Sequence, residues 1–325
     1  MTKYLPQMEP VPAEEIAQDL LQRPQALIAR EEARFRQEIE QTCDLILQDS
    51  IHMILLTGPS ASGKTTTAKM IAAELARRGE RVDRISLDNF YRPAAELPRW
   101  EDGYQNYESV EGLDIPCFQQ FVESLFQQGR GLLPVFDFNA GQRRKKWVEV
   151  AFDRHTYLIF EGIHALNPQV TQPLAGHRTV KIYISVHSDF LDGDGQIRLG
   201  ARDLRLCRRL LRDFYHRGTQ AEGTMRMWDY VLRGEDLYIR PFRRYADVHI
   251  NSTHTYEPFL YHDQLAQLLA NTPDDSTYQE AFGRLEQAVE YFYGIPESWI
   301  PSSSLIQEFL PGPGKELPRA TVPGQ

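Results

Sequence analysis

The chain is poor in the features that would place it outside a reducing compartment. Its 325 residues hold three cysteines, Cys43, Cys117 and Cys207, far apart and odd in number. Without Cys-x-x-Cys or Cys/His spacing they exclude a disulfide framework and a zinc module, and a reducing cytosol fits best. No run of eighteen apolar residues occurs, so no membrane helix is expected. The opening Met1-Thr-Lys-Tyr-Leu-Pro6 lacks the apolar core of a secretory signal, and the expectation is a soluble cytoplasmic protein without a membrane partner. Positive charge is also in deficit. A formal net charge of −9 argues against general nucleic-acid binding, which needs a basic face to neutralise phosphates.

What is present is a phosphate loop. Residues 58 to 65 read Gly58-Pro59-Ser60-Ala61-Ser62-Gly63-Lys64-Thr65, a complete G-x-x-x-x-G-K-[ST]. Its glycines permit a tight turn that points N–H groups inward, Lys64 reaches the β- and γ-phosphates, and Thr65 offers a hydroxyl to Mg²⁺. Thr66 is counted with the loop as a nucleotide contact. The apolar run Ile51–Thr57 before it reads as a buried strand, and Thr65–Arg78 after it as a helix closed by Gly79. That order sets the phosphates at a helix N-terminus.

Further strand candidates follow at Arg81–Leu87, Thr156–Phe160, Thr179–Val186 and Ala246–Ile250, alternating with helical stretches. This is the pattern of an α/β fold, a doubly wound, mostly parallel sheet flanked by helices. Residues 1–50 form a helical extension and 51–310 the catalytic domain. Residues from about 88 to 150 form an insertion suited to a second substrate, and those from about 200 to 235 an arginine-rich lid. The tail, 311–325, has a disorder-prone composition.

Asp88 falls at the carboxyl end of the second strand, where it can accept a hydroxyl proton and help hold Mg²⁺; a turn-initiating Asp is the plain alternative. Glu161 ends the third strand as a metal-side carboxylate. His164 either lines the site or caps a loop. A GTPase would carry Asp-x-x-Gly and Asn-Lys-x-Asp, and neither appears, so the donor leans to ATP. Arg205, Arg208, Arg209 and Arg212 share one helical face. That face is a phosphate clamp, a salt-bridged surface or a nucleic-acid patch, and the neighbouring phosphate loop favours the clamp.

These elements, with Asp88-Asn-Phe-Tyr91, Pro134-Val-Phe-Asp-Phe138, Phe160-Glu-Gly-Ile163, Arg208-Arg-Leu-Leu-Arg-Asp213 and Tyr245-Ala-Asp-Val248, resemble the uridine kinase/phosphoribulokinase family of phosphate-loop kinases. The likeness spans about residues 50 to 260. It is nearest to a uridine kinase-like branch that often carries threonyl-tRNA synthetase-like domains at its N-terminus, domains not expected here. The marks of that branch include Asn106–Asp114 and the late stretch Ile300–Phe309. The resemblance implies ATP and Mg²⁺, with Lys64, Thr65, Asp88 and Glu161 in the roles above and Asp88 as base for the 5′-hydroxyl of a nucleoside. It implies Arg209, Arg212 and Arg217 as lid arginines, Glu108 as a sugar-binding acid, and Arg143, Tyr91 and Phe136 beside the acceptor. The pyrimidine-reading tyrosine and histidine are Phe136 and Gly141 here, and a lid arginine and a glutamine are Thr219 and Met227. A phenylalanine still stacks on a ring, but the hydrogen-bonding edge readers are missing.

The expected activity is therefore ATP- and Mg²⁺-dependent phosphoryl transfer to a small metabolite, a nucleoside first. The alternatives are a sugar phosphate or pantothenate-like alcohol as acceptor, or an ATP-binding regulator without turnover. The partner expected is the small-molecule acceptor, with a homo-oligomer left open.

Overall fold

The computed structural model describes residues 7–138, 140–272 and 276–312. The expected tail lies, from residue 313 on, outside them. Five parallel strands form the central sheet: β1 (Met53–Thr57), β2 (Arg81–Ser86), β3 (Thr156–Glu161), β4 (Thr179–Ser185) and β5 (Val248–Asn251), in the order β5-β4-β1-β3-β2. All five coincide with the strands read from the sequence, within two residues at either end.

The middle strand explains why that reading was possible. Every residue of β1 is buried, because helices cover both faces of a parallel sheet and leave no solvent side. Alternation divides it between two cores. Ile54 and Leu56 join Leu27, Phe35 and Ile39 of α1 (Pro24–Gln48) and Ile71 of α2 (Lys64–Arg77). Met53 and Leu55 join Phe118, Phe121 and Val122 of α3 (Ile115–Gln128). The helix α3 and the antiparallel pair Arg130–Leu133 with Val148–Ala151 both fall in the stretch expected as an insertion.

Beyond β4 come α4 (Ala201–Arg217), α5 (Ala221–Gly234) and, after β5, α6 (Glu257–Leu269). A short strand, Glu9–Pro12, pairs in parallel with Ser188–Leu191 and was not expected from the leader's prolines. No helix among the described residues is long and apolar enough to cross a membrane.

Candidate active site

The phosphate loop runs from the end of β1 to the first turn of α2. Its backbone is pressed against the sheet: a β-carbon on Gly58 would lie 2.0 Å from the Ile184 carbonyl oxygen, so no side chain fits there. Ala61 sits at φ 59°, in the left-handed region that L-residues seldom adopt. Such backbone persists only where its surroundings over-determine it, and here α4 does so. Arg205 Nε donates to the Ser60 carbonyl at 3.0 Å, Arg208 to the Ala61 carbonyl at 3.2 Å, and Arg209 to Ser60 Oγ at 2.7 Å.

This corrects the reading of the arginine face as one clamp. Arg205 and Arg208 are buried and face counter-charges, Glu235 at 2.7 Å and Glu257 at 2.7 Å. A buried guanidinium needs such a partner, and with it these two shape the loop instead of standing free for phosphate. The other arginines gather on Asp213, itself buried. Arg209, Arg212 and Arg217 lie 3.3, 3.3 and 3.0 Å from its carboxylate. Arg217 is half-exposed, and its C-terminal neighbour Gly218 turns the chain at φ 67° into α5.

The carboxylates reach the loop through strand register. Glu161 pairs with Leu56 on one side and Ser86 on the other. It therefore stands two residues short of Gly58 along β1 and two short of Asp88 along β2, and the three strand ends meet. Burial, and then the neighbouring Glu161, push the Asp88 carboxyl up to about 6, with Lys64 and Arg217 opposing. Lys64 is pulled down by burial and held up by Glu161 and Asp88; its Nζ donates to the Pro59 carbonyl at 3.0 Å. Two carboxylates in mutual repulsion beside an ammonium, with the Thr65 side chain open to solvent, suit a divalent cation shared with a nucleotide. No cluster of three or more His, Cys, Asp or Glu able to hold a metal occurs among the described residues.

The residues expected beside the acceptor are largely aromatic and buried. Tyr91 is buried, and its hydroxyl donates to the Tyr107 carbonyl at 2.6 Å. Its ring lies 6.0 Å from that of Phe136, which is 4.9 Å from Phe138. Asn89 Oδ1 accepts from the Phe136 N–H at 3.1 Å, tying this strand to the Asp88 turn. Glu108 is presented by a turn in which buried Asn106 accepts from the N–H groups of residues 108 and 109, both at 3.0 Å. Burial pushes the Glu108 carboxyl to about 7, against Arg209 and Lys64. A β-carbon on Gly234 would lie 2.2 Å from that of Glu108, so α5 meets the Glu108 turn backbone against side chain. His164 is fully buried, and burial lowers it to about 3 against the opposing pull of the Ser109 and Glu108 backbone, leaving a neutral ring beside the Glu108 turn.

Arg143 pairs with Phe136 across a short antiparallel strand pair, beside Tyr91. Its guanidinium donates to the Tyr91 carbonyl at 3.2 Å, the Phe90 carbonyl at 3.0 Å and Asp114 at 3.0 Å. Those bonds hold the Asp88–Tyr91 turn from behind.

The profile of the Phosphoribulokinase / Uridine kinase family matches residues 53–257, more than half of the chain. The chain belongs to this family. It is a kinase by that membership. Among its relatives, uridine-cytidine kinase-like 1 of Mus musculus is 31% identical over 197 residues, which is 59% of this chain and 32% of that protein. The uridine kinase of Clostridium botulinum (strain Langeland) is 28% identical over 60% of this chain and 85% of its own. The chain thus spans about a third of the mouse relative and most of the bacterial one. A solved structure of a possible uridine kinase from Bacillus stearothermophilus covers 67% of this chain and 99% of its own at 17% identity, TM-score 0.46.

For this kinase, sequence reasoning passed over four acids: Asp213, Glu235, Glu257 and Glu308. Asp213 had a signal, since Arg209, Asp213 and Arg217 follow one another at i,i+4 on a helix. The other three pair with arginines across long stretches of chain, where spacing says nothing.

Proposed function

We propose that this kinase uses ATP and Mg²⁺ to phosphorylate a hydroxyl of a neutral, ring-bearing metabolite, most plainly the 5′-hydroxyl of a nucleoside. The observation that carries the acceptor class is Arg143. The cation that family resemblance sets beside the acceptor spends three of its five N–H groups on the Phe90 and Tyr91 carbonyls and Asp114, and the other residues expected around the acceptor, Tyr91, Phe136, Glu108 and Asp88, bring aromatic rings and carboxylates. A phosphorylated acceptor would set its charge against the Glu108 and Asp88 carboxylates. A sugar ring offers hydroxyls to Glu108 and a base offers a face to Phe136.

In this reading Asp88 accepts the proton of the attacking hydroxyl. Its raised affinity for a proton suits that task near neutrality. Lys64 and the arginines gathered on Asp213 neutralise charge on the transferring phosphoryl group, and the aromatic wall excludes water. Bound Mg²⁺, held by Thr65, Asp88 and Glu161, would supply charge neutralisation on the donor phosphates. With Phe136 and Gly141 where base readers are expected, discrimination among bases is weak.

ADP release measured across nucleosides, deoxynucleosides, sugar phosphates and pantothenate tests the proposal. Turnover with nucleosides supports it. Turnover confined to sugar phosphates or to pantothenate would overturn the acceptor class, and ATP binding without any acceptor-stimulated turnover would make the protein a regulator.

A further inference from the structure

The segment Ser304–Leu310 lies some fifty residues beyond the end of the family match, yet it packs on the phosphate loop. Ser304 Oγ donates to Glu32 of α1 at 2.6 Å, fixing one end of the segment to the N-terminal helix. Leu305 closes over Gly63, with Cδ1 2.7 Å from where a β-carbon would stand. The Phe309 ring lies 4.9 Å beneath the Arg208 guanidinium, and the Leu310 carbonyl meets His216 Nε2 at 2.9 Å. Between these contacts stands Glu308. Its carboxylate accepts from Thr66 Oγ1 at 2.5 Å and lies 3.8 Å from Arg212, with one fifth of the side chain exposed.

Thr66 is the third residue of α2, in the turn whose free N–H groups and positive dipole attract anions. Thr66 and Arg212 are therefore donors that the phosphates of a nucleotide would use, and here they are taken by an acid of the same chain. Resting on the kinase reading of this donor site, we propose that Glu308 is an affinity-setting residue: its carboxylate holds Thr66 and Arg212 in place of phosphate, and an incoming nucleotide displaces it. Before the nucleotide arrives, Glu308 adds a second carboxylate to the Asp213 already beside Arg212. It also weakens binding, because the carboxylate must be removed from its donors and remains near the bound phosphates.

The test is calorimetric titration with Mg²⁺ and the non-transferable analogue AMP-PNP, without acceptor. Glu308→Gln keeps an oxygen for Thr66 and removes the charge; it is expected to bind about five-fold tighter than wild type, the effect of one charge at a helix N-terminus and one partly exposed ion pair. Loss of packing cannot mimic a gain in affinity. Equal or weaker binding by the variant would overturn the proposal. Hydrogen exchange on the wild-type protein gives a second reading, since amides of residues 304–310 are expected to exchange faster once nucleotide displaces the carboxylate; slower exchange would overturn it as well. Tighter binding by the variant, with no turnover of any acceptor by wild type, would leave this inference standing and sink the kinase proposal. If neither protein bound the analogue, both would fall.

Discussion

Substituting Glu257 by Ala tests whether the buried Arg208 pair builds the phosphate loop. Arg208 and Glu257 are both wholly inaccessible, and the guanidinium uses all five of its N–H groups. Two go to Glu257 at 2.7 Å each, one to the Ala61 carbonyl at 3.2 Å, and two to Ser252, Oγ at 3.0 Å and carbonyl at 2.7 Å. Glu257 accepts in addition from the Tyr261 hydroxyl at 3.1 Å and the His254 N–H at 2.7 Å. Removing the acid strands a buried cation, which costs about 3–5 kcal/mol. In a chain of 325 residues that lowers the unfolding midpoint by roughly 4–7 °C. Replacing both partners, Arg208→Met with Glu257→Leu, removes the stranded charge, so the double variant should be less destabilised than the sum of the singles by about 1–3 kcal/mol. Thermal unfolding followed by circular dichroism reads the stability, and Mg²⁺-nucleotide titration reads the loop, whose affinity should fall in the Glu257→Ala variant. A midpoint within about 2 °C of wild type, or additive losses in the double variant, would refute the reasoning.

Three other outcomes are expected. With Asp88 raised to about 6 in the free protein, its base form is lost as pH falls, so kcat/KM should drop about ten-fold per pH unit below 6; a profile flat to pH 5 would remove Asp88 as the base. The folded chain also holds the Glu108 proton near pH 7, while the unfolded chain releases it near the ordinary carboxylate value. Wild type therefore loses stability as pH rises from about 4.5 through 7, and Glu108→Gln should gain in stability relative to wild type over that window, by on the order of 3 kcal/mol at pH 8; a difference independent of pH would contradict the shift. Asp213→Asn frees Arg209, Arg212 and Arg217 from their shared carboxylate, and kcat should fall about ten-fold or more, with acceptor KM changed less; unchanged kcat would show that the arginines need no such tether.

The strands and the phosphate loop were legible because each is a local pattern. A run such as Met53–Thr57, apolar at every position, arises from helices on both faces of the sheet, and the loop octapeptide encodes its own backbone. The Asp88 and Glu161 pair was legible one step further out, because strand ends in a parallel sheet converge. The partners of the arginines were not legible. Arg205, Arg208 and Arg212 all fall on the face marked as basic, yet Glu235, Glu257 and Glu308 meet them from three different elements, 30, 49 and 96 residues away. Which guanidinium is free and which is neutralised depends on packing between distant segments, and helical spacing carries no record of it. The same applies to Arg143, whose donors turn inward to Phe90 and Tyr91.

Asp88 as the base of phosphoryl transfer beside an intact donor site is tested most directly by Asp88→Asn with a nucleoside acceptor. Acceptor-dependent ADP release should fall at least ~10²-fold, while the affinity for Mg²⁺-free nucleotide stays near that of wild type, since Lys64 and the loop are untouched. Near-normal turnover in this variant would contradict the account.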